Sequence, residues 1–183
     1  MSRIGTVAIL VLLLAACSDE GDPPGAGAPG LVRNPAFERD ERGGLPDWTF
    51  VSHARGGSYR FEAGDGELRI ERVGPEPWGQ AVQWLPAEPL LGRQLTFSAE
   101  IALSQPAERS GLGVRVMGFE PGVPRALGES ILLIERSASA AGEGWQPHRI
   151  EFTVPHGAIR VELALRHAGD GVLRARRPSL IAR

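Results

Sequence analysis

The composition of the chain narrows the classes of protein that it can encode. It has 183 residues, with 20 basic and 22 acidic side chains and a formal net charge of −2 at pH 7. A slightly negative chain gives no electrostatic reason to expect a nucleic-acid partner. Cys17 is the only cysteine, which excludes an internal disulfide, so stability has to come from a hydrophobic core.

The first seventeen residues are typical of a secretory leader. Arg3 gives a positive start, an apolar run spans 4–14, and the small residues Ala15 and Ala16 precede Cys17. The run is shorter than the about 20 apolar residues that cross a bilayer. The pattern predicts a cleaved leader over 1–16. An ordinary signal peptide followed by an incidental cysteine would fit it as well.

The end of this leader resembles the lipobox of bacterial lipoproteins. Leu14-Ala15-Ala16-Cys17 is similar to the motif in which the cysteine is lipidated and becomes the new N-terminus. The resemblance implies a palmitate-type anchor on Cys17 and a place in the bacterial cell envelope. Because Ser18 is not aspartate, it favours the outer membrane. The stretch 17–30, rich in Gly, Pro and Ala, predicts a flexible tether to a domain over 31–183.

The domain alternates apolar and polar residues in many short segments, which is the pattern of half-buried strands. The predicted strands cover 58–62, 67–73, 80–85, 94–103, 112–117, 130–135, 149–154, 159–166, 171–177 and 179–182. In one of them, Ile159, Val161, Leu163 and Leu165 are assigned to the inward face. The triplets 64–66 and 169–171 predict hairpin turns, and 137–144 a loop. Eight to ten one-sided strands have to bury their apolar faces between two sheets, so we expect an all-β sandwich.

Six stretches resemble, in the same order, motifs of carbohydrate-binding modules of the CBM4/9/22 type. They are LVRNPAFE at 31–38 followed by Asp47-Trp48, GELRI at 66–70, WGQAVQ at 78–83, LGRQLTFSA at 91–99, WQPHRIEFTVP at 145–155 and RRPSL at 176–180. The resemblance spans nearly all of 31–183. It implies a jelly-roll sandwich related to galactose-binding-like domains, and a polysaccharide or glycan as ligand. A sandwich alone does not prove sugar binding.

One departure from the family concerns a structural calcium ion. In the family, acids of the closing motif and the glutamate of the opening motif help to hold this ion. Here Arg176 and Arg177 stand in place of the closing acids, whereas calcium needs several oxygen ligands. We expect Glu38 to pair with one of these arginines, with no metal and no cofactor.

Aromatic side chains are the first candidates for a sugar site, because sugars stack their apolar faces on aromatic rings. Trp78 lies in the bend PEPWG at 75–79 and matches the position from which xylan-binding relatives present a tryptophan. Trp84 and Tyr59 are further candidates. The amide of Gln80 is suited to sugar hydroxyls, although a solvated strand residue is the simpler interpretation.

Other prominent side chains are better explained by structure than by binding. Trp48 and Trp145 stand at family positions that look structural, and both are assigned to the core. Arg115 and Glu162 face outward in their predicted strands and are interpreted as solvated charges.

Catalytic patterns are missing from the sequence. The four histidines, at 53, 148, 156 and 167, lack metal-ligand spacing, and there is no G-x-S-x-G elbow. We therefore expect a non-catalytic, envelope-anchored lipoprotein that binds a polysaccharide or glycan. The alternative is a protein-interaction or assembly lipoprotein that keeps the sandwich without a sugar site and has an envelope protein as its partner.

Overall fold

Two five-stranded antiparallel sheets form the body of the protein. A computed structural model describes residues 30–54, 57–118, 130–138 and 142–183. In these ranges the strands are β1 (Thr49–Ser52), β2 (Tyr59–Gly64), β3 (Glu67–Arg72), β4 (Gly79–Pro86), β5 (Gln94–Leu103), β6 (Gly111–Gly118), β7 (Ser130–Ser137), β8 (Gly142–Thr153), β9 (Ala158–His167) and β10 (Val172–Ala182). A short 3₁₀ helix, Glu88–Leu90, connects β4 to β5. The predicted all-β sandwich is confirmed, whereas β1 and the 3₁₀ helix had no counterpart in the sequence prediction.

The predicted leader, Cys17 and the tether up to residue 29 lie outside the described residues. So do 139–141 of the loop predicted over 137–144, and β8 already begins at Gly142. In the ranges that the structure covers, no helix is both long and apolar enough to span a lipid bilayer.

The two sheets enclose the core between their inner faces. Sheet A has the strand order β1-β4-β9-β6-β7, and sheet B the order β2-β3-β10-β5-β8. Leu163 and Leu165 of β9 lie on the inner face of sheet A, and Leu95 and Phe97 of β5 on that of sheet B; all four are fully buried. Because side chains alternate along a strand, the residues between them point to the outer faces of the sheets.

The first predicted hairpin is confirmed. β2 and β3 pair antiparallel from Tyr59↔Arg72 to Gly64↔Glu67. Asp65 and Gly66 join them with φ angles of 52° and 77°. Two consecutive positive φ angles are those of a type I′ turn, which matches the twist of the flanking strands.

Ile159 turns away from the core, contrary to the prediction. The three apolar residues that alternate after it in β9 are buried, but Ile159 is 54% exposed. The register of β9 against β6 shifts between Met117 and Gly118, which leaves Ile159 unpaired in a β-bulge. A bulge adds one residue to a strand and redirects its side chain, and periodicity alone does not reveal it.

The end of the chain also differs from the prediction. The triplet 169–171 is not a hairpin, because β9 belongs to sheet A and β10 to sheet B. The strands predicted over 171–177 and 179–182 are one strand, β10, with a bulge opposite β5 between Arg176 and Ser179. The residues inside that bulge are Arg177, with a φ of 52°, and Pro178, which has no N–H to pair.

A buried polar cluster lies where β6 and β9 approach the turn into β10. Ser110 Oγ is 2.9 Å from His167 Nδ1, and His167 Nε2 is 3.2 Å from the carbonyl oxygen of Gly171. A carbonyl only accepts, so we assign the ring proton to Nε2 and let the serine hydroxyl donate to Nδ1. His167 is completely buried, and burial lowers its pKa.

This histidine predicts a pH-dependent stability. Its folded pKa lies below the unfolded value of about 6.5, so the folded state resists protonation. The free energy of unfolding should therefore be steady above that pH. It should fall by about 1.4 kcal/mol per pH unit below it, until the folded pKa is reached. Burial also lowers the pKa of His148. This residue should therefore lower the free energy of unfolding at acidic pH as His167 does.

Urea unfolding between pH 5 and 8 measures this dependence (about 1.4 kcal/mol per unit for one proton). His167→Gln should flatten the slope by about one proton, and His156→Gln, at an exposed position, is the control for replacing a histidine. An unchanged slope in His167→Gln would contradict the assignment.

Candidate functional site

The outer face of sheet A carries a shallow groove. A cavity of about 230 Å³ lies there. It is lined by Val51, Trp78, Gln80, Gly113, Val114, Arg115, Leu133, Glu135, Glu162, Ala164 and Arg166, and we call it the sheet A groove. Its floor is low because Gly113 and Ala164 pair side by side on adjacent strands. A Cβ added at Gly113 would already touch the Ala164 Cβ at 3.4 Å.

Trp78 forms one end of the groove, immediately before β4. Its carbonyl oxygen accepts a hydrogen bond from the His53 N–H at 3.2 Å, which ties the bend to the end of β1. The His53 ring stands edge-on to the Trp78 ring, with centroids 5.9 Å apart. The Arg166 guanidinium lies 5.0 Å from the Trp78 ring centroid. The indole is half-buried, so part of it is open to a ligand.

Trp84 lies toward the other end of β4, on the same outer face. Its Nε1 donates to Glu162 Oε2 at 2.9 Å. The same oxygen accepts from Arg115 Nη2 at 2.7 Å. The Arg160 guanidinium lies 5.5 Å from the Trp84 ring centroid. These contacts fix the indole beside Glu162, which lines the groove, and leave it half-exposed just outside the lining residues.

Two arginine–glutamate pairs line the groove. Glu162, which is 5% exposed, binds Arg115, and Arg166 Nη1 donates to Glu135 Oε1. The interpretation of Glu162 as a solvated charge is wrong because its side chain is buried, whereas the Arg115 side chain that pairs with it is 39% exposed. The sequence did indicate a groove at this place. The outward-facing residues of β9 put the small side chain of Ala164 between two long charged ones, which leaves a hollow on the sheet surface.

The predicted site residues separate into two groups. Trp78, Trp84 and Gln80 share the outer face of sheet A, and their role in binding stays a prediction. Tyr59 does not join them. It is 7% exposed, and its ring stands edge-on to buried His167 with centroids 6.0 Å apart. A ligand on the outer face of sheet A cannot reach it, and burial raises the pKa of its hydroxyl.

Of the two tryptophans assigned to the core, only one lies there. Trp48 is buried as expected, with its ring centroid 5.3 Å from that of Phe37. Trp145 is half-buried on the outer face of sheet B, where the guanidinium groups of Arg174 and Arg176 lie 5.0 and 4.2 Å from its ring centroid.

The arginines of the closing motif do not pair with Glu38. Arg176 Nε donates to Glu100 Oε2, and Arg177 Nη1 to Glu100 Oε1 at 3.0 Å. The bond from Arg176 lowers the pKa of Glu100. Within the described part of the chain, no cluster of three or more His, Cys, Asp or Glu side chains could hold a metal ion. Calcium independence stays a prediction, but the ion pair behind it is Glu100 with the two arginines.

A second cavity, of about 490 Å³, lies beside these arginines. It runs between the opening motif, the β2–β3 turn and the bulge of β10. It is larger than the sheet A groove, but none of its lining residues is aromatic. Because stacking needs a ring, the sheet A groove is the better candidate for a sugar site.

Comparisons with known proteins show a shared fold. No protein-family model matches the sequence, and no curated protein matches it. A structural match is the enzymatically active domain of tailspike protein 4 from bacteriophage CBA120, with 10% identity and a TM-score of 0.57. The match covers 84% of this chain but only 21% of that one, so the chain spans about a fifth of the length of that solved domain.

Two further matches are similar over nearly their whole length. A xylan-binding domain of CBM22 has 14% identity and a TM-score of 0.52, with 84% of this chain and 95% of that chain covered. The CBM22-1 xylan-binding domain from Paenibacillus barcinonensis Xyn10C has 13% identity and a TM-score of 0.51, with 80% and 89% covered. The fold is therefore a jelly roll like that of carbohydrate-binding modules, as the sequence motifs predicted.

Proposed function

We propose that this protein binds a polysaccharide, without catalysis, in the sheet A groove. The observation that carries the proposal is the placement of Trp78 and Trp84 on one face, on either side of a floor made of Gly113 and Ala164. Sugar rings stack on such indoles, while a few polar groups such as Gln80 fix their orientation. The matches named as xylan-binding domains support this use of the fold.

The spacing of the tryptophans favours a polymer over a single sugar. Six residues of extended chain separate Trp78 from Trp84, which corresponds to about 20 Å. One sugar ring cannot touch both indoles. The two carboxylates of the groove, Glu135 and Glu162, already accept hydrogen bonds from arginines. The groove thus presents stacking surfaces and hydrogen-bonding groups in place of a free acid–base pair.

The ligand's length provides the test of this proposal. The full chain, purified in mild detergent, is first screened by affinity electrophoresis in gels that contain soluble polysaccharides. Oligosaccharides of increasing length, prepared from a polymer that retards the protein, are then titrated by calorimetry. Affinity should rise until the ligand spans both tryptophans and then level off. No retardation in any polysaccharide would move the interpretation to an envelope-protein partner.

We further propose that acyl chains on Cys17 hold the domain at the bacterial outer membrane. The support is the Leu14–Cys17 motif and the composition of the tether, and more than one acyl chain is needed for stable anchoring. In a bacterial host, Cys17→Ser should lose the acyl mass from its N-terminal peptide and move from the membrane fraction to the soluble fraction. Mass spectrometry and fractionation measure both effects. Ser18→Ala is the matched control and should remain lipidated.

A further inference from the structure

Among the described residues, the outer face of sheet A carries a positive charge that its carboxylates do not balance. Arg115 pairs with Glu162, and Arg166 pairs with Glu135. Arg160, exposed on the same row of β9, has no carboxylate partner among the described residues. Its Nη2 contacts Met117 Sδ at 2.9 Å, and a thioether is only a weak acceptor. Three arginines therefore face two glutamates.

The surplus positive charge lies next to an aromatic ring. The Arg160 guanidinium lies over the Trp84 ring, as Arg166 lies over Trp78. A pyranose that packs beside Trp84 would therefore bring its substituents next to Arg160. A carboxylate is the substituent that matches a guanidinium best, because two parallel N–H···O bonds can form between them.

Binding a neutral sugar at the same place would cost desolvation free energy. Covering Arg160 with uncharged hydroxyls removes water from the guanidinium without giving it an anionic acceptor, and desolvation of an uncompensated charge is costly. The arrangement thus both attracts an acidic ligand and discriminates against a neutral one.

We infer that the ligand is an acidic polysaccharide whose uronic acid units place a carboxylate on Arg160 while their rings pack beside Trp84. This inference rests on the proposed polysaccharide-binding function. It departs from the xylan named for the structural matches, because the unpaired Arg160 beside Trp84, on the face that carries the groove, belongs to this chain's own residues.

Matched pairs of polymers provide the test. Polygalacturonate and alginate are each compared with their methyl esters, which keep the backbone and remove the charge. The full chain, immobilised on a biosensor, should bind at least one of the acids about tenfold more tightly than its ester. Raised salt should narrow that difference, since screening weakens exposed charge pairs.

A variant assigns the effect to one side chain. Arg160→Gln should lose about tenfold in affinity for the acid and little for the ester. Arg149→Gln, at an exposed arginine of β8 in the other sheet, should bind like the unaltered protein. Because Arg160 is exposed, its replacement should leave the melting temperature unchanged.

The outcomes separate this inference from the function on which it rests. Equal binding of acid and ester would overturn the inference and leave polysaccharide binding in place. Binding of dextran sulfate as tightly as of the uronate polymers would also overturn it, because charge alone would then suffice. Binding of none of these polymers would overturn the inference, whereas the polysaccharide-binding proposal fails only if no polysaccharide retards the protein in the affinity gels.

Discussion

Replacing Trp78 with alanine is expected to weaken polysaccharide binding by about tenfold to hundredfold, because the change removes most of the apolar surface at one end of the groove. The fold should survive it. The indole lies outside the strands, and its ring contacts are His53 and Arg166. The free energy of unfolding should fall by less than about 1 kcal/mol. Biosensor titration and thermal unfolding of the same sample measure the two effects.

The chain offers a closely matched control for this variant. Trp145 is also half-buried with arginine guanidinium groups over its ring, but it lies on the outer face of sheet B. Trp145→Ala removes the same side chain in a similar setting and should leave the affinity unchanged. If both variants lose affinity equally, the ligand does not bind in the sheet A groove, and an unchanged affinity in Trp78→Ala excludes that indole from the site.

The sequence predicted the sheets well because burial on one side produces a period of two. The predicted strand over 94–103 agrees residue for residue with β5, which has an apolar inner row from Leu95 to Leu103. The errors fall where strand pairing is decided by distant residues. A glycine turn at 169–171 has the same composition whether it joins neighbouring strands or passes between sheets, and the bulge at Ile159 depends on the register of β6.

The candidate site was predicted in part for the same physical reason. Gln80 and Trp84 are four residues apart in the strand predicted over 80–85, so this strand must place them on one face, whereas the sequence places Trp78 in the bend before the strand. Glu162 comes from a strand 78 positions away from Trp84, and only sheet pairing brings them together. Tyr59 does not lie with the other candidates because its ring is buried between the sheets against His167, and an aromatic residue alone does not show which side of a sheet it faces.

Gly79→Ala is expected to destabilise the protein by about 2 to 3 kcal/mol through overpacking. A Cβ at this position would lie 2.5 Å from Cγ of Tyr59, far inside contact distance. The Tyr59 ring cannot move aside easily, because it is buried and stands against buried His167. The next residue toward the N-terminus is Trp78, so a shifted β4 should also weaken ligand binding. Urea unfolding and biosensor titration measure the two losses.

A second glycine-to-alanine variant, at a position without close neighbours, is the control. It separates the effect of crowding from the effect of introducing alanine. At Gly64 an added Cβ would meet nothing within 4 Å, so Gly64→Ala should change the free energy of unfolding by less than about 0.5 kcal/mol. Tyr59 supplies the decisive comparison, since Tyr59→Ala removes Cγ and the rest of the ring but keeps the Tyr59 Cβ, which lies 2.9 Å from the added Cβ. In that background Gly79→Ala should cost clearly less than it does beside the full ring, a non-additivity of the two changes. If Gly79→Ala costs the same with and without the ring, its effect arises in the backbone, and the packing of Tyr59 does not position the end of β4 that presents Trp78.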